Sequence, residues 1–216
     1  MRRALAALAL SALVPAHAAV VATYTSLASW QAATSGPILT QDFSGYAVNT
    51  DLTGVQLLPG VTLSSNIGPV EAFNATDRRA SAFGPQRTVG DGYYQGDYSQ
   101  GYLAAALDIM SFEAVPGNGS TAQDQGKMTF TFSDGTSTDV FISGNDTLTP
   151  IFIGVVSDTA IVSFRWNEAH EASGGNEETG LDNLRVANAV NQLPLPGTLP
   201  LVMLALLGLP LVRRFR

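Results

Sequence analysis

The chain contains no cysteine, a single lysine and two histidines among 216 residues. Without cysteine there is no disulfide framework, no Cys-ligated zinc, no iron–sulfur cluster and no thiol nucleophile. Positive charge is also scarce, with 11 basic residues against 18 acidic ones and a formal net charge of −7. The basic footprint that supplies most nucleic-acid affinity is therefore missing, and no nucleic-acid partner is expected. Also absent are a Gly-x-Ser-x-Gly nucleophile elbow, a glycine loop running into Gly-Lys-Ser/Thr, an EF-hand loop, an internal repeat and a heptad.

Hydrophobicity is concentrated at the two ends. Arg2 and Arg3 precede an apolar run from Ala4 to Val14, followed by Pro15 and Ala16-His17-Ala18. That order suits a signal peptidase cutting after Ala18, with Ala16 and Ala18 as the small residues of the cleavage site. The run is too short to cross a hydrocarbon layer of about 30 Å. At the other end, Leu193-Pro194-Leu195-Pro196-Gly197-Thr198 leads into an apolar stretch from Leu199 to Val212 and then Arg213-Arg214-Phe215-Arg216. The prolines and glycine hold an extended, accessible backbone, the span can enter a membrane, and the arginines stay on the cytoplasmic side. Two outcomes are open for such a tail: removal after sorting, or retention as a membrane anchor.

Pro194, Pro196, Gly197 and Thr198, with the Leu-rich span and Arg213, Arg214 and Arg216, resemble the PEP-CTERM sorting signal of exported proteins in Gram-negative bacteria. Leu195 stands where that signal usually has glutamate, and is similar to the Val-Pro-Leu-Pro-Ala variant signals. The resemblance implies processing by an exosortase, a link to exopolysaccharide, and a destination at the cell surface or in the extracellular matrix. The expected organisation is a signal peptide over 1–18, one domain over 19–187, a linker over 188–192 and a sorting signal over 193–216.

Without its two ends the chain keeps six basic residues against 18 acidic ones, a net −12. Such a charge keeps an exported domain soluble and attracts divalent cations. The pattern of the middle predicts an all-β domain with one short helix. Ser26 precedes Leu27, Trp30 and Ala33 at helical spacing, and Gly36-Pro37 ends the helix. Short β-rich runs then alternate with turn residues: 38–43, 61–63, 107–112, 128–132, 139–142, 151–156, 161–166 and 181–186. Met128 to Phe132 alternates strictly, and Asp134-Gly135 marks a hairpin turn. Strands at this spacing point to a two-sheet β-sandwich of jelly-roll type. Tyr24-Thr25-Ser26, Trp30, Asp42-Phe43, Pro59-Gly60-Val61-Thr62, 152–158 and Gly180-Leu181-Asp182-Asn183-Leu184 also resemble the β-sandwich bodies that accompany PEP-CTERM tails, some of which look like carbohydrate-binding jelly rolls.

Catalytic signals are poor. His170 lies among Glu168, Glu171, Glu177 and Glu178, which reads as a solvated acidic loop rather than part of a triad or a glycosidase pair, and no enzyme is expected. Two binding features stand out. Tyr93, Tyr94, Tyr98 and Tyr102 lie in a Gly/Asp/Gln/Ser-rich stretch and suggest an aromatic platform for a sugar ring, or a loop that packs some of them down. Strand parity places Asp182 on the inner face with Leu184 and Val186, leaving Asn183 and Arg185 to water. An inward carboxylate needs backbone N–H groups, Arg165 or a hard cation. The resemblance to carbohydrate-binding jelly rolls implies structural calcium held by Asp42 and Asp182, although Ser44 replaces their usual glutamate. The expected function is thus a structural or interaction protein of the matrix; the alternative is a carbohydrate-binding module, and a third is an exported hydrolase.

Overall fold

The computed structural model describes residues 19, 21–76, 78–82, 92–110, 125–144, 149–168 and 179–190. The expected signal peptide over 1–18, the expected sorting signal over 193–216 and the acidic stretch around His170 lie outside them. The elements are β1 (Val21–Tyr24), α1 (Leu27–Ala33), β2 (Thr34–Ser35), β3 (Leu39–Gln41), β4 (Val61–Ser65), β5 (Val70–Phe73) and β6 (Arg79–Ala82). They continue with β7 (Tyr93–Met110), β8 (Gln125–Phe132), β9 (Ser137–Ser143), β10 (Ile151–Glu168), β11 (Gly180–Ala187) and β12 (Ala189–Val190). Among the described residues the fold is therefore mostly strand with one short helix, as the alternation predicts. Among the described residues no helix is long and apolar enough to cross a membrane.

Ten strands form one antiparallel sheet with the order β5-β6-β11-β7-β10-β8-β9, with β1 added on β10, β3 on β11 and β4 on β7. β7 and β10 are its spine, each 18 residues long. The N-terminal half of β10 pairs with the C-terminal half of β7, from Ile151↔Ile109 to Val156↔Ala104; its other half runs from Ser163↔Asp97 to Asn167↔Tyr93. Between these two stretches the register shifts at 156–163. There Ser157 Oγ accepts the Thr159 N–H at 3.0 Å, so the chain bends without leaving the sheet. The runs 151–156 and 161–166, expected from the sequence as two strands, form one.

The inward side chains of both halves meet in one core. It contains Tyr94, Tyr98, Tyr102, Leu107, Ile109, Phe130, Phe132, Phe164, Trp166, Leu181, Leu184 and Val186. Gly96 lies directly over the Phe164 ring and Gly126 over Trp166, so a methyl group at either position would collide with an aromatic ring. The predicted hairpin is present: β8 and β9 pair from Thr131↔Ser137 to Gln125↔Ser143, and Gly135 takes φ +84° in the turn. On the other face of the sheet, α1 buries Trp30 against Ala104, Ala106, Val156 and Ala187, flanked by Leu27 and Ala33. Ser26 occupies the N-cap position, but its side chain makes no capping hydrogen bond. The expected linker is partly structured, because Ala189 and Val190 pair with Ser35 and Thr34. β5 and β6, which pair with each other from Val70↔Ala82 to Phe73↔Arg79, were not anticipated.

Candidate binding face

Along β4, β7, β10, β8 and β9, pleating sends alternate side chains to opposite sides. Phe130, Phe132, Phe164 and Trp166 go inward; their neighbours Thr129, Thr131, Ser163, Arg165 and Asn167 go outward. The registers arrange the outward residues in three rows. One runs Tyr93, Asn167, Lys127, Phe141; the next Ser64, Gln95, Arg165, Thr129, Asp139; the third Thr62, Asp97, Ser163, Thr131, Ser137. Eight of these side chains line a concavity of 720 Å³: Gln95, Lys127, Thr129, Thr131, Phe141, Ser163, Arg165 and Asn167. Phe141 is 62% exposed, the most solvent-facing large hydrophobic residue among those described.

The polar groups of the face hold one another in place. Arg165 donates from Nε and Nη2 to Gln95 Oε1 at 3.2 and 2.6 Å, and its guanidinium carbon stands 4.1 Å from the centre of the Tyr93 ring. Gln95 Nε2 in turn donates to Asp97 Oδ1 at 2.7 Å. Across the groove, Thr129 Oγ1 donates to Asp139 Oδ1 at 2.6 Å, and Lys127 Nζ lies 3.8 Å from Asp139 Oδ2. Hydroxyls, amides and charges of both signs, together with an exposed aromatic ring at one end, are the groups that bind sugar hydroxyls and the apolar face of a pyranose.

The tyrosine platform is corrected by the structure. Tyr94, Tyr98 and Tyr102 are 3%, 5% and 1% exposed and belong to the core, because the stretch is a strand and its even positions face inward. Tyr94 Oη accepts from the Ala82 N–H at 3.0 Å and donates to the Thr179 carbonyl at 2.8 Å; Tyr102 Oη donates to the Pro59 carbonyl at 2.6 Å. Burial, with Tyr102 beside it, pushes the Tyr98 hydroxyl well above the usual phenol range. Of the four, Tyr93 alone faces outward, and it serves the face by carrying Arg165. Arg165, Gln95, Lys127 and Phe141 were missed as site residues. For Arg165 the period-two alternation of 163–166 and 128–132 held the signal, since it assigns Ser163, Arg165, Thr129 and Thr131 to a common side; Gln95, Lys127 and Phe141 lie outside those stretches.

The Asp182 reading is also corrected. Asn183 takes φ +48°, and the β11–β7 register shifts between Asp182 and Arg185. This bulge inserts a residue, so that Leu181 and Leu184 both reach the core. Asp182 thus lies opposite Asp108, and Arg185, expected in water, is 8% exposed. Arg185 donates from Nη1 and Nη2 to Asp108 Oδ1 and Oδ2 at 3.3 and 3.1 Å. Asn183 Nδ2 bridges Asp108 Oδ2 at 2.9 Å and Asp182 Oδ2 at 3.1 Å, and its backbone N–H donates to Asp182 Oδ1 at 2.6 Å. Asp42, the expected second calcium ligand, accepts from Ser44 N–H and Oγ at 3.1 and 2.8 Å, which lowers its pKa. Among the described residues no group of three or more His, Asp or Glu side chains is arranged to hold a metal ion. Asp42 is met by Ser44, and Asp182 by Asn183.

Burial, followed by the charges of Asp108 and Asp42, pushes the Asp182 carboxyl up to about 6. Because the folded value lies above the ordinary one, the stabilising effect of protonation is complete below pH about 4 and is lost as pH rises through about 6. Asp182→Asn keeps the acceptor for Asn183 N–H and removes the charge. It should raise stability at pH 7–8 by about 1 kcal/mol, a figure reduced for the partial exposure of the group. The difference in melting temperature between variant and wild type, about 2–4 °C at pH 8, should vanish at pH 4. A difference independent of pH would refute the assignment.

Comparison with known proteins returned no matching family model, no matching curated protein and no matching solved structure.

Proposed function

We propose that this chain is an exported, non-catalytic surface or matrix protein, sorted through its C-terminal tail by an exosortase, whose β-domain binds exopolysaccharide on the outward face of β4, β7, β10, β8 and β9. The observation that carries this reading is the three-row array of polar side chains ending in the exposed Phe141. A chain lying across the strands meets a new polar side chain about every 4.8 Å, a spacing comparable to the length of a sugar ring. Tyr93 and Phe141 close the two ends of one row about 14 Å apart, three strand spacings. The sheet bends where β7 and β10 change partners and shares one core between its halves, which favours a two-layer sandwich of jelly-roll type. The basic-apolar-small order at the N-terminus and the Pro194–Arg216 tail support export and sorting.

Native affinity electrophoresis against the producing cell's own polysaccharide tests the binding. The wild type should be retarded, and Phe141→Ala, which removes an exposed ring without touching the core, should restore much of the free mobility. Unchanged migration of the wild type would refute the reading. For the sorting, mass spectrometry of surface-associated protein should find chains ending within 196–198; an intact Arg216 in most molecules would make the tail an anchor.

A further inference from the structure

We infer that the polysaccharide recognised by this face carries carboxylate groups, and that Arg165 selects for them; the inference rests on the glycan-binding reading above. Most basic side chains among the described residues already have partners. Arg185 is buried against Asp108, Arg79 is buried beside the Phe73 ring, and Arg78 donates to the carbonyls of Asn74 and Tyr46. Lys127 stands next to Asp139. Arg165 differs: it is exposed, and its side-chain donors meet Gln95, a neutral acceptor. Among the described residues its guanidinium meets no carboxylate, in a domain with 18 acidic residues to six basic ones.

The geometry specifies which edge is open. Of five guanidinium N–H donors, one on Nε and one on Nη2 converge on Gln95 Oε1. The second Nη2 hydrogen and both on Nη1 remain, and these form the end of the fork that takes a carboxylate through two parallel hydrogen bonds. The plane of the fork is held before any ligand arrives. Tyr93 lies under it at 4.1 Å, and Gln95 is itself tied to Asp97. Little side-chain freedom is left to lose on binding. Gln95 also bridges Arg165 and Asp97, so this carboxylate of the adjoining row is engaged by an amide rather than by the guanidinium. Thr129 lies across from Arg165, while Ser163 and Asn167 lie on either side along β10, in reach of the hydroxyls of a sugar whose carboxylate occupies the fork. Hydrogen bonds from an ionised donor to an ionised acceptor are about twice as strong as neutral ones, so a uronic acid gains over its neutral counterpart at this position.

Calorimetric titrations in a chelating buffer test this with oligomers of galacturonate, glucuronate and mannuronate, each beside its carboxyl-reduced form, and with poly-glutamate as a polyanion lacking sugar rings. At least one uronate should bind the wild type roughly tenfold tighter than its reduced form. Arg165→Gln should remove that preference, bringing the charged and reduced oligomers to within about twofold of each other, and Arg165→Lys should restore part of it because charge returns without the fork. Gln95→Glu, which supplies the fork with a carboxylate from its own chain, should abolish the preference as well. Equal affinity of the wild type for charged and reduced oligomers, a preference that survives in Arg165→Gln, or equally tight binding of poly-glutamate would overturn the inference. A protein retarded by neutral polysaccharide that binds no uronate would lose the carboxylate assignment and keep the glycan reading. A protein that binds nothing here or in the electrophoresis would lose both.

Discussion

Asp108→Ala should lower the stability of the domain by about 3–5 kcal/mol, measured by urea denaturation, because it strands a buried guanidinium. Asp108 sits in the middle strand of the sheet and is 8% exposed, as is its partner Arg185. The two-pronged contact at 3.1 and 3.3 Å is joined by Asn183 Nδ2, so one carboxylate satisfies donors on both sides of the bulge. Removing it leaves those donors without a charged acceptor, with the guanidinium 5.7 Å from the Phe152 ring as a remaining contact. Replacing both partners, Asp108→Leu with Arg185→Met, should recover most of the loss, since two apolar side chains of similar volume need no solvation. The same single variant should bring the Asp182 carboxyl down, because Asp108 is one of the charges that raise it. A loss below about 1 kcal/mol, the size expected of a surface ion pair, would show that the pair is not buried in solution.

Trp30→Ala should cost about 3–5 kcal/mol as well, by a different mechanism: a cavity that the surrounding structure cannot fill. Trp30 is fully buried, and it is the only buried residue of α1. Its indole N–H donates to the Val155 carbonyl at 3.1 Å, and its ring covers Gly154, where a methyl group would come within 2.5 Å of Cδ1. The floor of the contact is made of Ala104 and Ala106, side chains too small to move into the vacated space. The helix leads directly into β2, which pairs with β12, just ahead in sequence of the segment 193–216 proposed as a sorting signal. Hydrogen exchange at Thr34 and Ser35 should therefore quicken in the variant beyond the change at Phe130 or Phe164, and Trp30→Phe should fall between the two. Equal acceleration everywhere would mean that helix and sheet open as one unit.

Several features were legible because their causes are local. The alternation of Met128 to Phe132, the Asp134-Gly135 turn and the helical spacing of Leu27, Trp30 and Ala33 each depend on residues a few positions apart, and each is present. The tyrosines of β7 were misread for a related reason. A run rich in Gly, Asp, Gln and Ser resembles a loop when its strand partners are unknown, yet Gly96 is small because Phe164 of β10 lies against it, far away in sequence.

By itself the sequence determined the strand-rich class of the domain, the hairpin, the helix and the acidic balance, since backbone preference, side-chain period and charge belong to short stretches of chain. Tertiary structure alone decided that β7 and β10 run unbroken through their bends, that three tyrosines serve the core, and that Arg165 stands on a polar row with Gln95 and Thr129. It also decided the fate of Asp182. The residue inserted at Asn183, in the left-handed conformation, shifted the pleat by one position, so that Leu181 reaches the core with Leu184 and Val186 while Asp182 turns to the face that carries Asp108 and Arg185. Parity along a strand is a local rule, but whether a strand keeps its parity is set by the neighbour it must pair with.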